Sequence, residues 1–199
     1  YLAQYLVHSH NVDVAREIGR RAYDDAIKGG RSASQASALA HRAANTRQFS
    51  GDLRLSDTMQ QLQEIEQRVT GLPDGAERWQ AIKDGAQAVW DLNRQTLERK
   101  KDAGLISDAL YNELTSRHPK YVRTDIADYF DKGSGGPAPS GKRLGVSDIG
   151  IQKISAEGTA KERVNPLLST IDATYSAEQA IARNEAGKAF EELLRLDPN

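Results

Sequence analysis

The sequence has no cysteine in 199 residues. Disulfides, cysteine-ligated zinc, iron–sulfur clusters and thiol nucleophiles are thereby excluded. Aromatics are few, at 6% with three Phe, and hydrophobic residues of all kinds reach only 38%, against the roughly 45–50% apolar content common in globular chains. Core material this lean suits thin helical layers better than a thick sandwich. Charge of one sign is lacking too. Lys and Arg number 27 against 28 Asp and Glu, a net charge of −1. That rules out a generically basic nucleic-acid binder and leaves room only for a local patch. No apolar run approaches the ~18 residues that span a bilayer, and no basic start, apolar stretch and small-residue cleavage site marks a signal peptide. The chain begins at Tyr1 and its only methionine is Met59, as expected of a processed product or of part of a longer protein.

What is present is helical periodicity. Val14, Ile18, Ala22 and Ala26 make one narrow stripe over residues 1–28, extended backwards by Leu2 and Leu6. Gly29-Gly30 should stop this helix. Ser32 or Ser34 can cap a second helix running to about Phe49, whose many alanines either allow close approach to a neighbouring helix or simply favour helix formation. Leu55, Met59, Leu62, Ile65 and Val69 form the seam of a third helix capped by Ser56 or Asp57. After the breaker Gly71-Leu72-Pro73-Asp74-Gly75, the strongest helix runs from Ala76 to about Ala103 with Trp79, Ile82, Ala86, Val89, Trp90, Asn93 and Leu97 on one face. Gly104 ends it, Ser107 caps a short fifth helix, and His118-Pro119 ends that one. Residues 120–124 read as extended, and Asp125 can cap a last turn through Phe130. Asn165-Pro166 opens a long final helix carrying Leu167, Leu168, Ile171, Tyr175, Ala180, Ile181, Phe190, Leu193 and Leu194.

The fold class expected is therefore all-α: an elongated assembly of about six helices. An N-terminal helical region of residues 1–132 is followed by a Gly/Pro/Ser-rich linker at 133–141, whose composition favours mobility. A C-terminal segment, 142–199, holds the long helix. Trp79, Trp90, Tyr121 and Phe190 are the candidate packing or interface anchors. Trp79 and Trp90, eleven residues apart, fall on nearly the same face.

Chemical signatures are sparse. His8 and His10 would face the same way on a strand, but on a helix they diverge by about 200° and cannot share a metal; solvated histidines are expected. The acidic pairs Asp24-Asp25, Glu64/Glu66, Asp125/Asp128 and Glu191-Glu192 sit in polar surroundings where solvated faces or caps are the ordinary outcome. No G-x-S-x-G, H-E-x-x-H or phosphate-loop motif occurs. Arg94, Arg99, Lys100 and Lys101 complement a helix C-terminus. Lys142, Arg143, Lys153, Lys161 and Arg163 form a loose basic patch able to make weak DNA contact, without interleaved aromatics to stack bases. No metal, cofactor or catalytic residue is expected of this segment.

Two stretches point further. Asp102-Ala-Gly-Leu-Ile-Ser-Asp-Ala-Leu-Tyr-Asn-Glu-Leu with His118-Pro-Lys-Tyr-Val122, and Ala182-Arg-Asn-Glu-Ala-Gly-Lys-Ala-Phe190 with Leu196-Asp-Pro-Asn199, resemble helical segments of the large polyvalent proteins of bacteriophages and conjugative elements. The match covers about a third of the chain and departs at Arg123, where that family tends to have proline. The resemblance implies a non-enzymatic spacer or scaffold of a phage internal or ejection protein, carried in the virion and delivered into the host with the DNA. Its partners would be other regions of its own polypeptide and neighbouring virion proteins of portal, tail or internal core, with homo-oligomerisation a further option. The alternatives are a helical accessory domain of a phage or mobile-element enzyme acting on nucleic acid, or an anti-defence interaction module. The lack of cysteine and the lean core suit a protein that passes a narrow channel.

Overall fold

The computed structural model describes residues 1–122 and 165–196. Six α-helices occur among them: α1 (Leu2–Lys28), α2 (Ala33–Thr46), α3 (Leu55–Thr70), α4 (Gly75–Asp102), α5 (Asp108–Arg117) and α6 (Pro166–Leu196). A 3-10 turn, Ser50–Asp52, and one isolated antiparallel bridge between Phe49 and Leu53 complete the described residues. The protein is all-α. No helix among the described residues is long and apolar enough to cross a membrane. The turn through Phe130, the linker at 133–141 and the basic patch Lys142, Arg143, Lys153, Lys161 and Arg163 lie outside the described residues.

Helix ends follow local chemistry. Ser32 accepts a hydrogen bond from the Gln35 backbone N–H at 3.3 Å, and the Gln35 side chain returns one from the Ser32 N–H at 3.1 Å, a complete capping box for α2. Ser107 accepts from Leu110 N–H at 3.2 Å, and Asn165 from Leu167 N–H at 3.0 Å with Pro166 as the first helical residue. At α3 the helix begins at Leu55, earlier than Ser56 or Asp57 as cap would give. Asp57 works from inside the first turn, its Oδ2 accepting the Arg54 N–H at 2.8 Å. Gly104, at φ +78°, closes α4: its N–H bonds Lys101 O at 2.8 Å and the Leu105 N–H bonds Lys100 O at 2.8 Å. That pair of reversed bonds is the left-handed glycine ending.

Helix α1 is the shared wall of two cores. Its first half packs Leu6 with Ala86, Trp90 and Val122; its second half packs Val14, Ala15 and Ile18 with Phe49. Helix α2 lies close along α1, because a Cβ at Gly19 would stand only 3.1 Å from the Ala40 carbonyl oxygen and 3.4 Å from the Ala44 Cβ. The alanines of α2 thus permit close approach, as one of their two readings had it. Expected to reach Phe49, α2 instead ends at Thr46, and the chain turns extended at Arg47. Leaving the helix carries the Phe49 ring into the second core, where it is 1% exposed beneath the Arg47 guanidinium.

Two seams differ from their sequence pattern. On α3, Met59 is exposed and Thr58 is fully buried in its place, ahead of Ile65 and Val69. On α6 most large residues point away from the fold, although Ile181 is buried and Leu167 packs against the first core. Leu168, Ile171, Tyr175, Phe190 and Leu193 are between 54% and 64% exposed, whereas Ser169, Thr170, Ala177 and Ile181 are buried. Apart from Ile181 the inward residues are small, because α6 packs on α4 and α1, where thin side chains allow close approach. Phe190, at 62% exposed, is therefore no core anchor of the described fold.

Candidate functional site

The sequence-predicted anchors separate into a group and an outlier. Tyr5 of α1 touches both tryptophans of α4: its ring centroid lies 5.3 Å from that of Trp79, edge-on, and 6.4 Å from that of Trp90. Trp90 is buried and Trp79 half-buried, so their shared face is real. Tyr121 joins the same neighbourhood, edge-on to His10 at 6.2 Å, and its carbonyl accepts from Asn93 Nδ2 at 3.0 Å. Phe190 sits apart on the outer face of α6.

Beside the tryptophans lies a pocket of about 260 Å³ between α1, α3 and α4, closed at one edge by Lys120 after α5. Asp13 and Arg16 of α1, Glu66 of α3 and Lys120 give it mixed charge, over a wall of Tyr5 and Trp79. Burial raises the Asp13 carboxyl above its ordinary value, against the opposing pull of His118 and of the Lys120 N–H and charge. The Lys120 ammonium stands 5.3 Å above the Trp90 ring. This volume falls below the ~300–1,000 Å³ usual for organic ligands; it would take a small polar molecule at most.

Under the pocket the polar residues of α1 are unusually deep. His8, Ser9, His10, Asn11 and Glu17 are all buried, together with His118 at the end of α5. The expectation of solvated His8 and His10 is corrected here: helices α2, α3, α4 and α6 all pack against α1, so residues on several sides of it lose water. Burial lowers the His8 pKa below 6.5. Burial likewise lowers His118, which Asp13 and Glu17 partly offset. His118 Nδ1 stands 3.9 Å from Asp13 Oδ2, outside hydrogen-bonding reach, so the two do not form an oriented acid–base pair. Among the described residues, no group of three or more His, Asp or Glu is arranged to hold a metal ion.

Glu17 is the electrostatic centre. Its oxygens accept from Arg20 Nε, Arg20 Nη2 and Arg21 Nε, each at 2.8 Å, and Arg117 of α5 stands at 4.0 Å. Burial alone would raise its pKa, but these guanidinium hydrogen bonds outweigh it and hold the carboxyl at about 2. Asp13 and Glu17 carry no motif signature in the sequence; only the helices packed around α1 reveal them.

The basic end of α4 is engaged. Arg99 pairs with Glu178 of α6 at 2.5 Å, and Lys101 lies 4.7 Å above the Tyr111 ring. At the same end, Asn184 Nδ2 and Lys188 Nζ of α6 both donate to the Ala103 carbonyl, at 2.6 and 2.7 Å. No protein-family model matches the chain, and neither a curated protein nor a solved structure shows significant similarity to it.

Proposed function

We propose that this chain is a structural, non-enzymatic helical module of a phage internal or ejection protein, packaged in the particle and delivered with the DNA. One observation carries the reading beyond the resemblance itself. The two stretches that resemble polyvalent phage proteins, Asp102–Leu114 and Ala182–Phe190, meet in space. Asn184 and Lys188 of the second stretch satisfy the Ala103 carbonyl of the first, an acceptor that the end of a helix leaves without an intrahelical partner. Polar residues of the resemblance thus serve to join helices across 81 and 85 residues of chain. Arg99 and Asn93 are used in the same way, tying helix to helix and helix to loop. Such use supports a scaffold, in which polar side chains are spent on packing.

Mass spectrometry of purified particles of the parent element is the test. Peptides from this chain at a copy number comparable with other internal proteins are expected. Their absence from particles would overturn the reading. Tight, salt-dependent DNA binding by the chain would turn it towards the accessory domain of a nucleic-acid enzyme.

A further inference from the structure

Helix α6 carries two faces, and only the inner one is occupied by the described fold. The outer face exposes Leu168, Ile171 and Tyr175 near one end and Phe190 and Leu193 near the other. Between them Gln179, Ala182 and Ala186, also exposed, continue the line. The steps along this line are 3, 4, 4, 3, 4, 4 and 3 residues, and two features follow. The 3-4-4 step is an eleven-residue repeat, which keeps a stripe on one side of a nearly straight helix. The order of steps also reads the same in both directions, with large side chains at the ends and Gln179, Ala182 and Ala186 in the middle.

We propose that this face is a two-fold interface on which α6 of a second copy of the chain packs antiparallel. A pattern symmetric about its midpoint is self-complementary under a two-fold axis perpendicular to the helices, as a symmetric dimer requires. In that register Leu168 opposes Leu193 of the second copy, Ile171 opposes Phe190, and Tyr175 opposes Ala186, so the bulkiest ring meets one of the smallest side chains. Gln179 meets Ala182 at the centre. Each of the five large side chains is 54–64% exposed, on the order of 100 Å² apiece given the size of such groups. With the alanines, complete covering of this face in a pair of chains would bury up to roughly 1,200 Å², the lower bound of a specific interface. On each chain this face amounts to roughly 600 Å², the upper end of what the largest apolar patch of an ordinary monomer exposes. The inference is independent of whether the chain is carried in a virion.

Sedimentation equilibrium of the full chain over ~1–100 μM, the range that reads a micromolar dissociation constant, should show a dimer. Ala182→Arg would set two like charges near the axis and weaken the dimer at least ~10-fold, with the helical circular dichroism unchanged because the site is exposed. The absence of native cysteine makes the register directly testable. Leu168→Cys chains mixed with Leu193→Cys chains and oxidised should give the mixed disulfide in excess of either self-pair, since like positions would lie about 38 Å apart. A chain monomeric throughout this range would overturn the proposal, whether the face is covered by residues 123–164 or by a lipid surface, as vesicle binding would reveal. Self-pairs in excess of the mixed disulfide, or an Ala182→Arg dimer of unchanged affinity, would overturn it equally.

Discussion

The side-chain amide of Asn184 donates to the Ala103 carbonyl at 2.6 Å, and that single bond links the end of α4 to the middle of α6. Lys188 adds a charged donor to the same oxygen at 2.7 Å. Because the two donors share one acceptor, their removal should be non-additive. Asn184→Ala and Lys188→Met should each cost about 1 kcal/mol, and the double variant more than their sum, since the partly buried carbonyl then loses both partners. Urea denaturation of the two singles and the double checks it. A strictly additive double variant would mean that the carbonyl finds water as readily as side chains.

Gly75 offers a sharper steric test. Alanine is favoured over glycine in helices by ~1 kcal/mol, so propensity alone makes Gly75→Ala stabilising at the start of α4. A Cβ there, however, would stand 2.3 Å from the Thr70 carbonyl oxygen, a backbone atom that cannot step aside alone. The substitution should destabilise by about 1–3 kcal/mol. Thermal melts of this variant beside wild type decide between propensity and contact.

The two tryptophans should differ in cost although both touch Tyr5. Trp90 is 9% exposed and belongs to the first core, whereas Trp79 is half-buried at the rim of the pocket. Trp90→Ala should cost about 3–5 kcal/mol, and Trp79→Ala clearly less. Equal losses in a denaturant series would show that the pocket wall is as tightly packed as the core.

Acid should weaken the fold in two stages. His8 and His118 have folded pKa values below 6.5, so the unfolded chain takes up their protons first and stability declines as pH falls below 6.5. Asp13, raised by burial, acts in the opposite sense. Its folded form binds the proton more readily, which offsets part of that loss as pH falls through its folded value towards 3.8. Glu17 then dominates. Its folded pKa is about 2 against 4.5, so the stabilisation it supplies is complete above 4.5 and is lost between about 4.5 and 2, on the order of 3 kcal/mol at most. Glu17→Gln should flatten the acid limb of a stability-versus-pH curve below 4.5 and leave the limb near 6.5 in place. An unchanged acid limb would remove Glu17 from that role.

Helix positions were legible because their determinants are local. The Ser32 box, the Ser107 and Asn165 caps, Gly104 and Pro119 act within four residues, and the six helices follow from them together with 3.6-residue periodicity. The shared face of Trp79 and Trp90 follows from the same periodicity.

The stripes of α1 and α4 were legible as their buried faces, but on α3 and α6 the buried face was decided only by tertiary structure. Sequence hydrophobicity placed Met59 on the packing seam of α3 and made Phe190 a packing or interface anchor, yet Thr58 is the buried residue of that seam and Phe190 lies outside the core. Close helix approach depends on side-chain size as well as polarity, and Gly19, Ala177 and Ser169 satisfy it where larger apolar groups would hold the helices apart. The burial of His8, His10, Asp13 and Glu17 likewise has no sequence signal. Each looks like a solvated residue until helices distant in the chain, packed on several sides of α1, remove its water; Arg20 and Arg21 then keep Glu17 charged, whereas burial disfavours the charged forms of His8 and Asp13.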